Sequence, residues 1–202
     1  RDSSRILEFF TREHGRVTVF ARGVRRPASQ VRSVLQPFQR LLVSFSTRGE
    51  AGAFIGAEID GTLQAALPAE RIMSGFYLNE LLLKLLIRHD AHPQLFDDYA
   101  WALEGLRGAG SEARALRLFE KRMLESVGYG LELTREAGSG AALEAQAHYH
   151  YLPERGAVLA DQPSPGTYSG AVLTALAAER LDDELTLRET RRLLRTALAG
   201  CL

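Results

Sequence analysis

Cysteine is nearly absent from this 202-residue chain: Cys201 is the only one. A lone thiol forms no internal disulfide and builds none of the Cys-rich structural zinc sites, so the fold is expected to stand without either, in a cytoplasmic setting. Lysine is scarce too, with Lys84 and Lys121 against 23 arginines. Biased composition and selection for guanidinium forks account for that ratio equally, and no function follows from it alone. No window reaches 18 uninterrupted apolar residues, and the densest run, Phe76 to Ile87, is broken by Asn79, Glu80 and Lys84, which excludes a membrane-spanning helix. The opening RDSSRILEFF has neither an initiator Met nor a signal-peptide core, so further residues are expected upstream. Net charge is zero, 25 basic against 25 acidic groups, and offers no link to nucleic acid by itself. With 46% hydrophobic and 25% charged residues, the chain has the composition of a globular protein of one to two domains.

The signatures of catalysis are missing as well. There is no G-x-S-x-G elbow, no Walker A loop, no G-x-G-x-x-G turn and no H-E-x-x-H pair. Asp97-Asp98 and Asp182-Asp183 are paired carboxylates, but both flank or enter predicted helices, where they complement helix dipoles. His148 and His150, at i and i+2, share a strand face and read either as two metal ligands lacking a clear third or as ordinary surface residues. No enzyme, metal or cofactor is expected.

The position of the charge is more informative than its sum. Residues 1–40 carry nine Arg against Asp2, Glu8 and Glu13, a balance of +6, which leaves −6 for residues 41–202. A basic head on an acidic body suits a polyanion, whose neutralised phosphates release counterions, and equally describes a solvated basic face. Arg5 to Thr11 and Arg16 to Arg22 read as two strands joined at Arg12-Glu13-His14-Gly15. In the second, Val17, Val19 and Ala21 alternate with Arg16, Thr18, Phe20 and Arg22, placing one apolar face inward and two guanidiniums flanking an aromatic ring outward. Cations beside an exposed ring suit single-stranded nucleic acid, the ring stacking on a base. The loop Gly23 to Ser29 carries Arg25 and Arg26 at its tip. Further strands are predicted at Leu41 to Ser46 and Ala53 to Ile59, joined by a turn at Arg48 to Gly52. Four or five short strands in about 65 residues make a small antiparallel barrel of OB type the expected architecture.

The remainder is helical. Pro68 opens a helix whose segment Phe76 to Ile87 is expected to be buried on most sides, and a second helix spans Gln94 to Leu106. A third begins at an Ser111 cap and ends at Gly128, with Leu116, Phe119, Met123 and Val127 as its buried stripe. On it Arg114, Arg117 and Lys121 fall at i, i+3 and i+7 on one face. Three aligned cations beside an apolar groove form a receptor for a short acidic-hydrophobic peptide; alternatively they are surface charges paired with Glu112, Glu120 or Glu125. The helical period lapses from Leu131 to Asp161, where Ala147, Tyr149 and Tyr151 mark a strand. Two helices follow, Ser169 to Arg180 and one starting at a Thr186-x-x-Glu189 capping box.

Six segments resemble the bacterial recombination mediator RecO, in family order over most of the chain: Leu7-Glu8-Phe9-Phe10-Thr11-Arg12-Glu13-His14-Gly15-Arg16-Val17, Ala21-Arg22-Gly23-Val24-Arg25-Arg26-Pro27, Leu35-Gln36-Pro37-Phe38, Tyr77-Leu78-Asn79-Glu80-Leu81-Leu82, Leu116-Arg117-Leu118-Phe119-Glu120 and Val127-Gly128-Tyr129-Gly130. The resemblance implies an α+β chain: an N-terminal OB-fold barrel over residues 1–66, short of its first strand, joined to a mostly helical domain over 67–202 with a small β-containing insert near 131–161. It implies binding of single- and double-stranded DNA, annealing of complementary strands, partnership with RecR, and recognition of the acidic, Phe-ending tail of single-stranded DNA-binding protein, so that RecA can load. The family's basic barrel surface maps onto Arg16, Arg22, Arg25, Arg26, Arg32 and Arg40, to which the strand pattern adds Phe20. Its tail-binding arginine maps onto Arg117, to which helical spacing adds Arg114 and Lys121. Many members hold a four-cysteine zinc site in the segment matching Leu131 to Asp161; this chain has no cysteine there, and a metal is not expected. The alternatives are an OB-type scaffold that binds protein or RNA and a small hydrolase.

Overall fold

The computed structural model describes residues 4–22, 31–46 and 52–201 and divides into two compact units, Arg1–Ala109 and Gly110–Leu202. The fold is mixed α+β, as expected, with a sheet in the N-terminal unit and a largely helical C-terminal one. The two helices that follow residue 66 belong to the same compact unit as the strands.

In the first unit, β1 (Arg5–Thr11) and β2 (Gly15–Ala21) form an antiparallel hairpin with Phe9 opposite Val17. Alternation works as read: Val17, Val19 and Ala21 are buried, because a period of two sends them all to one face. The hairpin needs glycine at position 15. Its φ is +61°, and a β-carbon there would lie 1.8 Å from the Asp90 carbonyl oxygen. A short α1 (Val31–Val34) precedes a second hairpin, β3 (Leu41–Ser46) and β4 (Gly52–Ile59). The hairpins meet through a parallel junction of Val19 with Gly52 and Phe20 with Ala53. The strand order is β1-β2-β4-β3. Among the described residues β1 and β3 do not pair, so the sheet is open where a closed barrel was expected.

A 3-10 turn (Ala69–Arg71) leads into α2 (Ile72–Leu85), and α3 (Pro93–Arg107) carries Pro at its first turn, where no amide partner is lost. The expectation that α2 is buried on most sides is corrected. Gly75, Leu78, Leu81 and Leu82 are buried, whereas Met73, Phe76 and Leu83 are exposed, as is Ile87 beyond its end. The inward residues already fill one stripe at helical spacing, and the extra apolar residues fall on the opposite face. Leu95, Ala102, Leu103 and Leu106 of α3 complete this unit's core.

In the second unit, α4 (Glu112–Ser126) starts at Ser111, whose hydroxyl accepts from the Arg114 amide at 3.2 Å. It ends at Gly128 (φ +86°), with the Gly128 amide donating to the Glu125 carbonyl and the Tyr129 amide to that of Leu124. Its buried stripe is Ala115, Leu118, Phe119, Met123 and Leu124; Leu116 and Val127 are only half-buried, so the stripe lies partly off the expected register. A three-stranded sheet follows, ordered β6-β5-β7: β5 (His148–Leu152), β6 (Gly156–Leu159) and β7 (Thr167–Ser169). Tyr149 and Tyr151 face inward, as the alternation required, and His150 is exposed. α5 (Gly170–Ala177) is capped by Ser169. α6 (Glu184–Ala199) begins before the expected Thr186: its cap is Asp183, whose carboxylate accepts from the Thr186 amide at 2.8 Å. With Asp183 taking the cap, Thr186 falls in the first turn, where it is buried with Thr190. Phe119, Met123, Leu173, Leu176, Leu193 and Leu194 form the core.

Carboxylates fold the segment after α4. Glu132 accepts from the Thr134 and Arg135 amides at 2.8 and 3.2 Å, and Glu136 from the Gly138 and Ser139 amides at 2.9 and 2.7 Å. Hydrogen bonds from Thr134 and Ser139, joined by these amides, hold both carboxyls below the ordinary Glu range. No cluster of three His, Cys, Asp or Glu that could hold a metal occurs among the described residues, and no described helix is long and apolar enough to cross a membrane.

Candidate nucleic-acid and peptide interfaces

On the N-terminal sheet the predicted cations are not equivalent. Arg22 and Phe20 are exposed, Phe20 at 46%, and Arg22 has no ion pair among the described residues. Arg16 departs from the simple alternation. Its side chain is 13% exposed, its Nε lies 2.8 Å from a Glu8 carboxylate oxygen, and its guanidinium donates to the Leu83 carbonyl. Glu8 sits two rungs away, opposite Thr18, so the cross-strand diagonal neutralises Arg16 locally. Arg40 lies 2.6 Å from Asp60 through its Nε, half-exposed, with its guanidinium 5.9 Å from the centre of the Phe96 ring. Arg25 and Arg26 fall outside the described residues, as does the Arg32 side chain.

Arg16 and Arg40 share a groove of about 820 Å³ that runs along β1 and β3; Phe20 and Arg22 do not line it. Aromatic side chains cluster in its walls. Phe10 packs on Phe96 and Tyr99 at ring-centroid distances of 5.7 and 6.1 Å, and Phe38 on Phe76 at 5.1 Å. Tyr99 donates to Asn79, and burial pushes its phenol well above the ordinary tyrosine range. Sequence reasoning missed this groove, although its signal was present in Phe9-Phe10 and in Phe96 and Tyr99 at helical spacing.

On α4, the structure gathers Arg114, Arg117 and Lys121 and also supplies each with an acceptor. Arg117 is 6% exposed and meets the 2%-exposed Glu120 in a two-pronged pair, with Nε to Oε2 at 2.7 Å and Nη2 to Oε1. Lys121 bridges Glu125 at 2.8 Å and Glu179 at 3.4 Å. Arg114 donates to the Glu179 carbonyl oxygen at 3.2 Å. Two members of this cluster escaped the sequence: Glu179, and Arg122, whose guanidinium grips the Glu179 carboxylate through both Nε and Nη2. The hydrogen bond from Arg122, aided by the nearby positive charge, holds the Glu179 carboxyl below its ordinary range. Of the pairings considered for this helix, those with Glu120 and Glu125 are present.

Comparison with known proteins gives two family matches, Recombination protein O N terminal over residues 1–60 and Recombination protein O C terminal over residues 66–202. Among curated relatives, a protein of Thiobacillus denitrificans is 42% identical over 207 residues, spanning 98% of this chain and 80% of its own length. One of Methylococcus capsulatus is 42% identical over 199 residues, spanning 98% and 81%. One of an Azoarcus species is 39% identical over 203 residues, spanning 98% and 83%. Each is named DNA repair protein RecO.

Proposed function

Because the chain belongs to the family of the DNA repair protein RecO, we propose that it is a recombination mediator of the cytoplasm that binds single- and double-stranded DNA and anneals complementary strands. With RecR and the acidic tail of single-stranded DNA-binding protein it helps RecA to load. No bond is made or broken in this role, and no nucleotide is consumed. The N-terminal sheet acts as an OB-fold. Its strand order leaves β1 and β3 as the outer strands on either side of the groove, so one further strand between them completes a five-stranded barrel.

The observation that carries the DNA role is the exposed Phe20 close in sequence to the exposed Arg22, which has no ion pair among the described residues, at the start of the segment that continues to Arg25 and Arg26. A ring next to a guanidinium stacks on a base while the cation screens a phosphate. Screening both strands lowers the repulsion that opposes their pairing. The acidic tail docks on the cationic face of α4, where Arg114, Arg117 and Lys121 lie together, and brings the barrel to coated DNA.

Binding of a single-stranded oligonucleotide, measured as salt is raised, tests this. Affinity is expected to fall steeply. Replacing Arg22, Arg25 and Arg26 by Glu is expected to flatten the log–log slope by about 1 for each arginine that meets a phosphate. A flat response in the unaltered protein would instead favour a scaffold that does not bind DNA.

A further inference from the structure

Glu179 stands where its own backbone disfavours it. α5 ends in a pair of reverse hydrogen bonds, from the Glu179 amide to the Leu176 carbonyl at 3.1 Å and from the Arg180 amide to the Ala175 carbonyl at 2.9 Å. The first residue past the helix cap, donor of the first of these bonds, must take a left-handed conformation, and such termini usually place glycine there. Here it is Glu, with φ +57°. A side chain kept at a position that penalises one points to a use for that side chain. Its carboxylate reaches α4, where Arg122 and Lys121 take hold of it, while Arg114 donates to the same residue's carbonyl. The seat remains open to water: the Glu179 and Arg122 side chains are 30% and 23% exposed. Arg117, by contrast, is sealed against Glu120.

We propose that the seat now filled by Glu179 is the binding site for a carboxylate of the acidic peptide partner, that Arg122 and Lys121 are the residues that hold it, and that Glu179 is an internal occupant the partner displaces. This rests on the docking of an acidic tail on α4, and it moves the principal contact from Arg117 to Arg122. The chemistry of the seat favours a carboxylate over other anions, since Arg122 already grips one two-pronged, a geometry that matches guanidinium to a planar acid. Exchange of one carboxylate for another leaves Arg122 and Lys121 compensated before and after binding, and Glu179 is released on a side open to water. It also sets a threshold: a ligand binds with its full affinity only in the fraction of molecules whose seat is vacant.

The test uses the full chain and a synthetic peptide with a run of aspartates and a C-terminal Phe, followed by fluorescence anisotropy. Glu179→Gln is expected to bind the peptide about tenfold more tightly than the unaltered protein, as it would if roughly nine molecules in ten have the seat occupied. Glu179→Gly, which suits the left-handed backbone, is expected to show the same gain and guards against a folding artefact. Arg122→Ala is expected to lose about tenfold in affinity and to abolish the effect of Glu179→Gln. Unchanged or weaker binding by both Glu179 variants, with the unaltered protein still binding, overturns the internal-occupant role. Tighter binding of a single-stranded oligonucleotide in place of the peptide overturns the choice of ligand. If neither the unaltered protein nor any variant binds the peptide, the docking of an acidic tail itself is wrong, and this proposal fails with it.

Discussion

Arg117 and Glu120 lend themselves to a double-mutant cycle, because burial sets the magnitude and the family resemblance gives the outcome a functional meaning. Both side chains are almost fully withdrawn from water and held in a two-pronged pair. At about 4 Å between charge centres and an effective dielectric constant near 20, their attraction is about 4 kcal/mol, and the cost of desolvating two ions is several kcal/mol each. The pair therefore contributes little net stability, while either half alone is a liability. Arg117→Met leaves Glu120 buried without its cation, and Glu120→Leu strands Arg117. Each single variant is expected to lose about 3–5 kcal/mol. The double variant, which removes both charges and keeps the volume filled, is expected to fall within about 1 kcal/mol of the starting protein or above it, giving a coupling energy of at least about 5 kcal/mol. The protein has a single Trp, Trp101, in the other compact unit, so tryptophan fluorescence reads the wrong half. Native-state hydrogen exchange of the α4 amides reads the right one. Single variants that cost less than about 1 kcal/mol would refute the picture of a sealed, coupled pair. The double variant also separates two modes of peptide docking: it binds the acidic peptide if Arg122 holds the carboxylate, and does not if Arg117 does.

Gly15→Ala sets a β-carbon 1.8 Å from the Asp90 carbonyl oxygen at a left-handed φ, so a loss of at least about 2 kcal/mol is expected in urea unfolding; a loss below 1 kcal/mol would mean that the hairpin moves freely away from Asp90. The carboxyls of Glu132 and Glu136 sit below their ordinary range because the folded turns hydrogen-bond the ionised form, so their contribution is present above the unfolded Glu pKa and is lost as pH falls through the folded values. Amides of Thr134, Arg135, Gly138 and Ser139 should therefore lose exchange protection on acidification before those of α4 do, and simultaneous loss would count against these turns as an independent acid-labile element. Tyr151 runs the other way: burial, reinforced by the charge of Glu132, pushes its phenol up to about 12, so the stability it contributes is present below the unfolded tyrosine pKa and is lost as pH rises through about 12. Ultraviolet titration should show a group of late phenols, Tyr99 and Tyr168 among them, of which the Tyr151 midpoint drops in Glu132→Gln, and an unmoved midpoint would remove Glu132 as a cause.

Local periodicity made much of this fold legible. Val17, Val19 and Ala21 announce β2 because every second residue is apolar, and Ser111 and Gly128 bracket α4 because caps obey short-range rules. β6 and β7 escaped because Gly156–Leu159 and Thr167–Ser169 are too short to display a period. The faces of α2 and α4 were misjudged for a different reason: each has more apolar residues than one stripe can hold, and only packing decides which of Leu116 and Leu118 turns inward. Least legible were the charges. Arg40 meets Asp60 and Arg122 meets Glu179 across 20 and 57 residues of chain, separations over which no sequence period operates. Composition identified the basic head correctly as an excess of Arg, but it could not show that Arg16 and Arg40 have acids beside them while Arg22 has none among the described residues.

The parallel junction in the N-terminal sheet has a kinetic consequence. Each hairpin gathers its own rungs from neighbouring chain, seven in one and six in the other, whereas two rungs join them among the described residues. The hairpins are thus expected to zip early and independently, with the junction closing last, since distant strands meet only after their loop has been tied. Gly52 serves both sides of that joint: a β-carbon there would lie 2.3 Å from the Ser46 carbonyl oxygen of its own hairpin and 3.4 Å from the Val19 side chain across the junction, so a larger residue first disturbs the β3–β4 end that forms the seam. Phe20 is itself one of the rungs, which places the exposed ring on the line along which the sheet parts most readily. Under the proposed DNA role, a base stacked on Phe20 would become a weight on that seam, and the joint between the two halves of the sheet would be the first part to sense it.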